Sequence, residues 1–171
     1  MNFTPHLPNN VYTTRMSSKI LILDNVRSAH NVGSLFRTAD GAGVSELVLV
    51  GYTPAPQDRF GRVQPEIEKT SLGASQMIPW VTKTDNEAIA YVNVLKQDGY
   101  VVVAVEQTHQ AVSMYDFIVP NKVVYILGNE IEGVGEALLA EATVHVEIPM
   151  LGKKESLNVS VAGGIVLFHK K

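Results

Sequence analysis

At 171 residues the chain has the length of one domain, able to bury about two-thirds of its unfolded surface. It contains no cysteine, which excludes a disulfide framework and a thiolate metal site. Net charge is −3, but residues 1–83 sum to +2, residues 84–152 to −8 and residues 153–171 to +3. A nucleic-acid footprint needs a local basic face rather than a basic total, so the two positive segments keep such a partner open; a plain acidic surface in the middle is the competing account. No apolar run approaches the ~20 residues needed to span a bilayer. The start, MNFTPHLPNN, lacks the basic leader and apolar run of a secretory signal. A soluble, cytoplasmic protein is expected.

Strands and helices alternate along the chain. Lys19–Asp24 (KILILD) reads as a buried strand. A helix follows to about Asp40, with Asn31 as its cap, Leu35, Phe36 and Ala39 inward, and Gly41 or Gly43 at its end. Glu46–Val50 is the next strand, and Gly51–Ser75 reads as a long loop rich in Gly, Pro and charge. Asp85–Gln97 is amphipathic, with Ala88, Ile89, Val92 and Leu95 on one face and Gly99 beyond its end. Tyr100–Val105 and Lys122–Leu127 are strands, Glu136–Ala142 a short helix, Val144–Ile148 a last strand and Leu157–His169 a closing helix. The alternation predicts an α/β domain over residues 1–171, a mostly parallel sheet with helices on both faces.

Three stretches run apolar residues straight into Gly, Asn, Ser, Glu or Arg: LILDNVRSAHNVGSLFRTADGAGV (21–44), VVYILGNEIEGVG (123–135) and IPMLGKKESLNVSVAGGIVLF (148–168). A strand that ends this way before a helix is how α/β proteins build ligand sites. Gly128 follows Leu127 at a strand end, where a missing Cβ lets a ligand approach the backbone, and Glu130 sits just beyond. Ser156 is placed to cap the closing helix, with Asn158 in its first turn among free backbone N–H groups. The G-x-G-x-x-G and GK[ST] phosphate loops are absent, which argues against dinucleotide and P-loop enzymes. No His-rich or carboxylate cluster has metal-ligand spacing, so no metal is expected.

Together and in this order, the three stretches resemble the signature motifs of the SpoU family, RNA ribose 2′-O-methyltransferases of the SPOUT class. The resemblance spans about Lys19 to Lys170 and implies a C-terminal trefoil knot, which periodicity does not predict. It implies S-adenosylmethionine as cofactor, held at Gly128, Ile148 and Leu157 with Leu127 and Met150 as neighbours. Asn31 and Arg37 match the family's Asn-x5-Arg pattern, making Arg37 the expected catalytic residue and Asn31, Glu130, Ser156 and Asn158 its polar support. Deprotonating an arginine at neutral pH costs about 7–9 kcal/mol, so Arg37 is expected to orient phosphate and stabilise the developing alkoxide as a cation. His30 reads as a loop side chain rather than a base.

Several residues are expected to touch RNA. The run Lys69-Thr70-Ser71-Leu72-Gly73-Ala74 is similar to a K-T-S-x-G-A run of the family, and Lys69 and Ser71 are candidates for holding phosphate. Phe60 between Arg59 and Arg62 is suited to stack on a splayed base, with a mobile surface loop as the alternative. Arg27 is a further phosphate candidate, and Lys153 and Lys154 would flank the RNA entrance. The family's homodimers imply a dimer here, and the closing helix is apolar on more of its circumference (Val159, Val161, Ile165, Val166, Leu167, Phe168) than one packed face requires. Residues 1–18 are too few for the extra RNA-recognition domain many relatives carry, which leaves tRNA and rRNA both open. Two rivals stand beside this reading: a non-catalytic RNA-binding SpoU relative, and an unrelated α/β nucleotide-binding enzyme.

Overall fold

The computed structural model describes residues 18–170, so the expected N-terminal extension lies, apart from Ser18, outside the described residues. Among the described residues seven strands form one sheet: β1 (Ser18–Asp24), β2 (Glu46–Val50), β3 (Trp80–Lys83), β4 (Val101–Val105), β5 (Val112–Ser113), β6 (Lys122–Leu127) and β7 (Val144–Glu147). Their order is β3-β2-β1-β6-β4-β7-β5, and every pairing is parallel. Among the described residues six helices complete the fold: α1 (Ala29–Gly41), α2 (Pro65–Ser71), α3 (Ala74–Met77), α4 (Asp85–Gln97), α5 (Glu136–Glu141) and α6 (Val159–Phe168).

The period of two along a strand explains why the central strands are apolar throughout. On β1, Leu21 and Leu23 join one core with Leu35, Phe36 and Ala39 of α1 and Val166 and Leu167 of α6. Ile20 and Ile22 join the other core with Ala88, Val92 and Leu95 of α4 and Leu138 of α5. The expected parallel sheet covered on both faces is borne out. Phe36, Leu35 and Leu21 are fully buried, each worth about 1.5–3 kcal/mol relative to exposure.

Helix ends differ from expectation in instructive ways. Asn31 does not cap α1: Ser28 does, its Oγ accepting from the Asn31 N–H at 3.2 Å, so Asn31 lies inside the first turn and is buried. His30 is therefore an exposed helical residue, not a loop one. α4 has the expected bounds because Thr84 and Glu87 form a reciprocal capping box and Gly99, at φ +84°, takes the chain out. The stretch 51–75 is not one loop: Pro65 starts α2, and Leu72 and Gly73, both left-handed, separate it from α3. The edge strands β3 and β5 were not expected, being too short to carry a pattern.

Gly163 fixes how α6 crosses α1, since a Cβ there would overlap the Leu35 side chain. At the far end, Lys19 Nζ donates to the Leu167 carbonyl at 2.9 Å and the Ala42 carbonyl at 3.3 Å, satisfying the C-terminal ends of both helices. Burial, then the nearby Lys170, pushes the Lys19 pKa down.

Tyr125, in the middle of β6, has its phenol pushed up to about 12 by burial. The unfolded chain loses that proton near pH 10, so stability should be constant below pH 10 and decline between pH 10 and about 12. The loss is at most about 2–3 kcal/mol. Tyr125→Phe should flatten that part of the curve, read by urea unfolding at stepped alkaline pH.

Candidate functional site

In a parallel sheet all strands end on one side, and ligands gather there. The C-terminal ends of β4, β6 and β7, with the loops that leave them, enclose a cleft of about 320 Å³. All five positions expected to hold the cofactor line it: Leu127, Gly128, Ile148, Met150 and Leu157. Glu130 and Ser156 line it too. A larger hollow of about 570 Å³ lies against Trp80 and Met77 by the edge strand β3, but no residue of the three motifs lines it, so size does not select it. Sequence reasoning missed the contribution of β4, whose end brings Val105, Glu106 and Gln107 to the cleft. The signal was present as polar residues directly after an apolar strand, without the glycine that drew attention elsewhere.

Gly128 is required for a reason other than ligand approach. The loop 128–134 folds back on itself through paired backbone bonds between Asn129 and Gly133 at 2.9 and 3.0 Å. A Cβ on Gly128 would overlap the backbone of Gly133 and Val134, so the protein's own chain fills the space. Buried Asn129 holds this turn: its Oδ1 accepts from the Ile131 and Glu132 N–H groups, and its Nδ2 donates to the Asn25 carbonyl. Asp24 anchors the loop's end by accepting from the Gly135 N–H at 2.8 Å, although burial pushes its carboxyl pKa up.

The three motifs meet in one line of side chains. Asn31 Nδ2 donates to Glu130 Oε1 at 2.9 Å, and Asn158 Nδ2 donates to Asn31 Oδ1 at 3.2 Å. Asn158, not Ser156, is the N-cap of α6, its Oδ1 accepting from the Ser160 N–H at 2.9 Å. Helix α6 thus starts two residues later than expected, and Asn158 stands at its cap rather than in its first turn, a position that asparagine favours. Ser156 stays in the exposed loop before it.

Arg37 is not brought to this cleft within one chain. It is exposed on α1, six residues or about 9 Å along the axis from Asn31. It borders a separate hollow with Ser34, Thr38, Thr70 and Phe168. Beside it, α6 presents Val161, Ile165 and Phe168 to the outside, while Val159, Val166 and Leu167 face the core.

The expected RNA residues divide. Lys69, Lys153 and Lys154 are exposed, the last two in the loop that lines the cleft. Arg59 and Arg62 stand 4.8 and 5.3 Å from the exposed Phe60 ring, and Arg62 also pairs with Asp58 at 2.6 Å. Arg27 is exposed and 3.9 Å from Glu132. Ser71 is corrected: it is fully buried, its hydroxyl 2.9 Å from Ser75 Oγ and 3.3 Å from the Glu68 carbonyl, so it cannot present itself to a phosphate. The periodicity of α2, unread in the sequence, turns it inward.

The lining is electrostatically one-sided. It carries four carboxylates, Glu106, Glu130, Glu147 and Glu155, and no lysine or arginine. Such a wall opposes a pyrophosphate and favours a cation beside the apolar surface of Leu127, Ile148, Met150 and Leu157.

The family model described as SpoU rRNA Methylase family matches residues 18–168. The chain belongs to that family. Among curated relatives, the 23S rRNA (guanosine-2′-O-)-methyltransferase RlmB of Neisseria meningitidis is 30% identical over 148 residues, 86% of this chain and 56% of that protein. RlmB of Xylella fastidiosa is 34% identical over 150 residues, 88% of this chain and 57% of that protein. The chain thus spans about half the length of these relatives. The AdoMet-bound rRNA methyltransferase from Sinorhizobium meliloti superposes with a TM-score of 0.78 at 30% identity, over 90% of this chain and 55% of that one. A structure concerned with 2-OH methylation of C/U34 on tRNA superposes at 0.72 with 26% identity, over 89% of this chain and 93% of that one. The SPOUT-like parallel fold of the family is therefore the fold seen here.

Gly128→Ala should force the Asn129–Gly133 turn open. A loss of about 2 kcal/mol is expected, lowering Tm by roughly 4–8 °C in a thermal melt.

Proposed function

We propose that the protein is an RNA ribose 2′-O-methyltransferase that uses S-adenosylmethionine on rRNA or tRNA in the cytoplasm. The observation that carries this reading is the meeting of the second and third motifs on one acidic, partly apolar cleft, with the first motif joined to both through Asn31, which hydrogen-bonds Glu130 and Asn158. The residues present fit the cofactor. Its net positive charge suits a wall of four glutamates, and its adenine suits the aliphatic surface of Leu127, Ile148 and Leu157. NAD, with its pyrophosphate, suits the same wall poorly.

Bound there, S-adenosylmethionine would supply an electrophilic methyl group, which passes to the ribose 2′-oxygen as the carbon–sulfur bond breaks. The chain's own residues do the rest. Asn31, Glu130 and Asn158 form a pre-aligned polar line whose geometry is fixed by two helix starts and one strand end, so little reorganisation accompanies reaction. Ser156, exposed at the cleft, is free to orient the nucleotide. The hydroxyl proton passes to solvent water during attack, and a guanidinium stabilises the charge that develops on oxygen.

That guanidinium is Arg37, delivered by a second copy of the chain. The support is twofold: Arg37 is exposed and away from its own cleft, and it adjoins the exposed Val161–Ile165–Phe168 stripe of α6, a surface suited to a homodimer. The trefoil knot belongs to this same reading. Arg27, Arg59, Arg62, Lys69, Lys153 and Lys154 would hold the RNA backbone, with Lys153 and Lys154 nearest the methyl donor.

Calorimetry should show binding of S-adenosylmethionine and none of NAD. Tritium should pass from labelled cofactor to bulk RNA, and alkaline hydrolysis should leave a resistant dinucleotide, since a 2′-O-methyl blocks cleavage at its own linkage. Cofactor binding without transfer would favour a non-catalytic RNA-binding relative.

Arginine supply across a dimer has its own test. Arg37→Ala and Asn158→Ala should each be inactive alone. Mixed and re-associated, they should recover about a quarter of wild-type turnover, because one site of each heterodimer is intact. No recovery, with heterodimers verified by mass, would place Arg37 in its own subunit's site. Separately, changing Lys153 and Lys154 to Glu should weaken RNA binding and flatten its salt dependence while sparing cofactor affinity.

A further inference from the structure

The loop from Pro149 to Leu157 forms one wall of the cleft through Met150, Glu155, Ser156 and Leu157, yet residues 151–158 are all exposed. Asn158, at the helix end of the stretch, is joined to Asn31. Among the described residues, one hydrogen bond reaches residues 149–157 from elsewhere in the chain: Gln107 Nε2 donates to the Glu155 carbonyl at 2.7 Å. The residue before Gln107 reaches the opposite wall. Glu106 Oε2 accepts from the Val134 N–H at 2.9 Å, and its Oε1 accepts from the Gln107 N–H at 3.1 Å. Glu106 is itself fixed to the sheet through its own N–H, which donates to the Val146 carbonyl at 3.1 Å. Gly133 makes room for it, since a Cβ there would overlap the Glu106 carboxylate.

We propose that Glu106–Gln107 is a tether that sets the spacing between the second- and third-motif loops, with Gln107 a positioning residue for the ligand of the cleft. The dipeptide leaves the end of β4, which lies between β6 and β7, and so one short segment meets both loops. Gln107 supplies a donor, and a donor is what the free carbonyl of residue 155 needs. Without it the third-motif wall is joined to the body only at its two ends, and Ser156 and Leu157 lose their fixed aim. Taking that ligand to be S-adenosylmethionine rests on the methyltransferase reading; the tether does not.

Lys153 and Lys154 place trypsin sites within the tethered stretch, so loop freedom can be read without any activity. Gln107→Ala removes the donor, and Gln107→Glu keeps the shape while replacing the donor with an acceptor. Both should speed cleavage at residues 153 and 154 by about three- to tenfold, followed by mass spectrometry, as expected for one exposed hydrogen bond. Both should weaken S-adenosylmethionine binding in calorimetry by a similar factor and raise its KM more than they lower kcat. Saturating cofactor should slow the cleavage of the wild type. Cleavage rates equal to wild type in both variants would overturn the tether, as would weaker binding without faster cleavage. If the wild type binds no S-adenosylmethionine, the methyltransferase reading fails, while the cleavage rates still judge the tether.

Discussion

The parallel pairing of β1 with β6 is the constraint from which the rest follows. It sets Leu23 beside Leu127, residues more than a hundred positions apart, and so brings the chain's first and second polar strand exits side by side. A slip of two residues would keep every side chain on its proper face yet carry Asn31 about 7 Å from Glu130. The register is held because both strands are buried on both faces, where a shift by one residue would exchange the α1–α6 core for the α4–α5 core. The site's geometry is thus inherited from hydrophobic packing, and its polar residues ride on that packing.

The glycines of the second motif serve the fold of their own loop as well as the cleft they line. Gly128 lines the cleft, and its missing Cβ makes room for the returning loop. The cleft exists because that loop is folded tightly against β6 and away from the third motif. Asn129 and Asp24, both buried, satisfy the backbone groups that such a tight turn would otherwise leave bare.

Much of the fold was legible because the long elements carry strong patterns. The bounds of β2, β6 and α4 were read to the residue, since each is an apolar run or an amphipathic face closed by a clear stop signal. The stretch 51–75 was not, because its two short helices are too brief for periodicity and are bounded by left-handed residues that look like loop. Both misplaced caps have one origin: Ser and Asn are near-equal cap formers, so Ser28 with Asn31, and Ser156 with Asn158, present the same choice to the reader. The positions that the resemblance assigns to the cofactor, Leu127, Gly128, Ile148, Met150 and Leu157, all line the cleft. Glu106 and Gln107 escaped because their role is visible only once β4 lies between β6 and β7.

Lys19 sits at the other end of the two rods whose starts carry Asn31 and Asn158. One amino group joins their tails, and Gly163 lets them touch midway, so the pair behaves as a hinged caliper closed at the handle. Over the 10 residues of α6, roughly 15 Å, a tilt of about 10° at the handle moves the tip by roughly 2–3 Å. The asparagine contact spans only 3.2 Å, so the alignment of the jaws depends on the packing of the two rods along their whole length, which Lys19 closes at the opposite edge of the molecule.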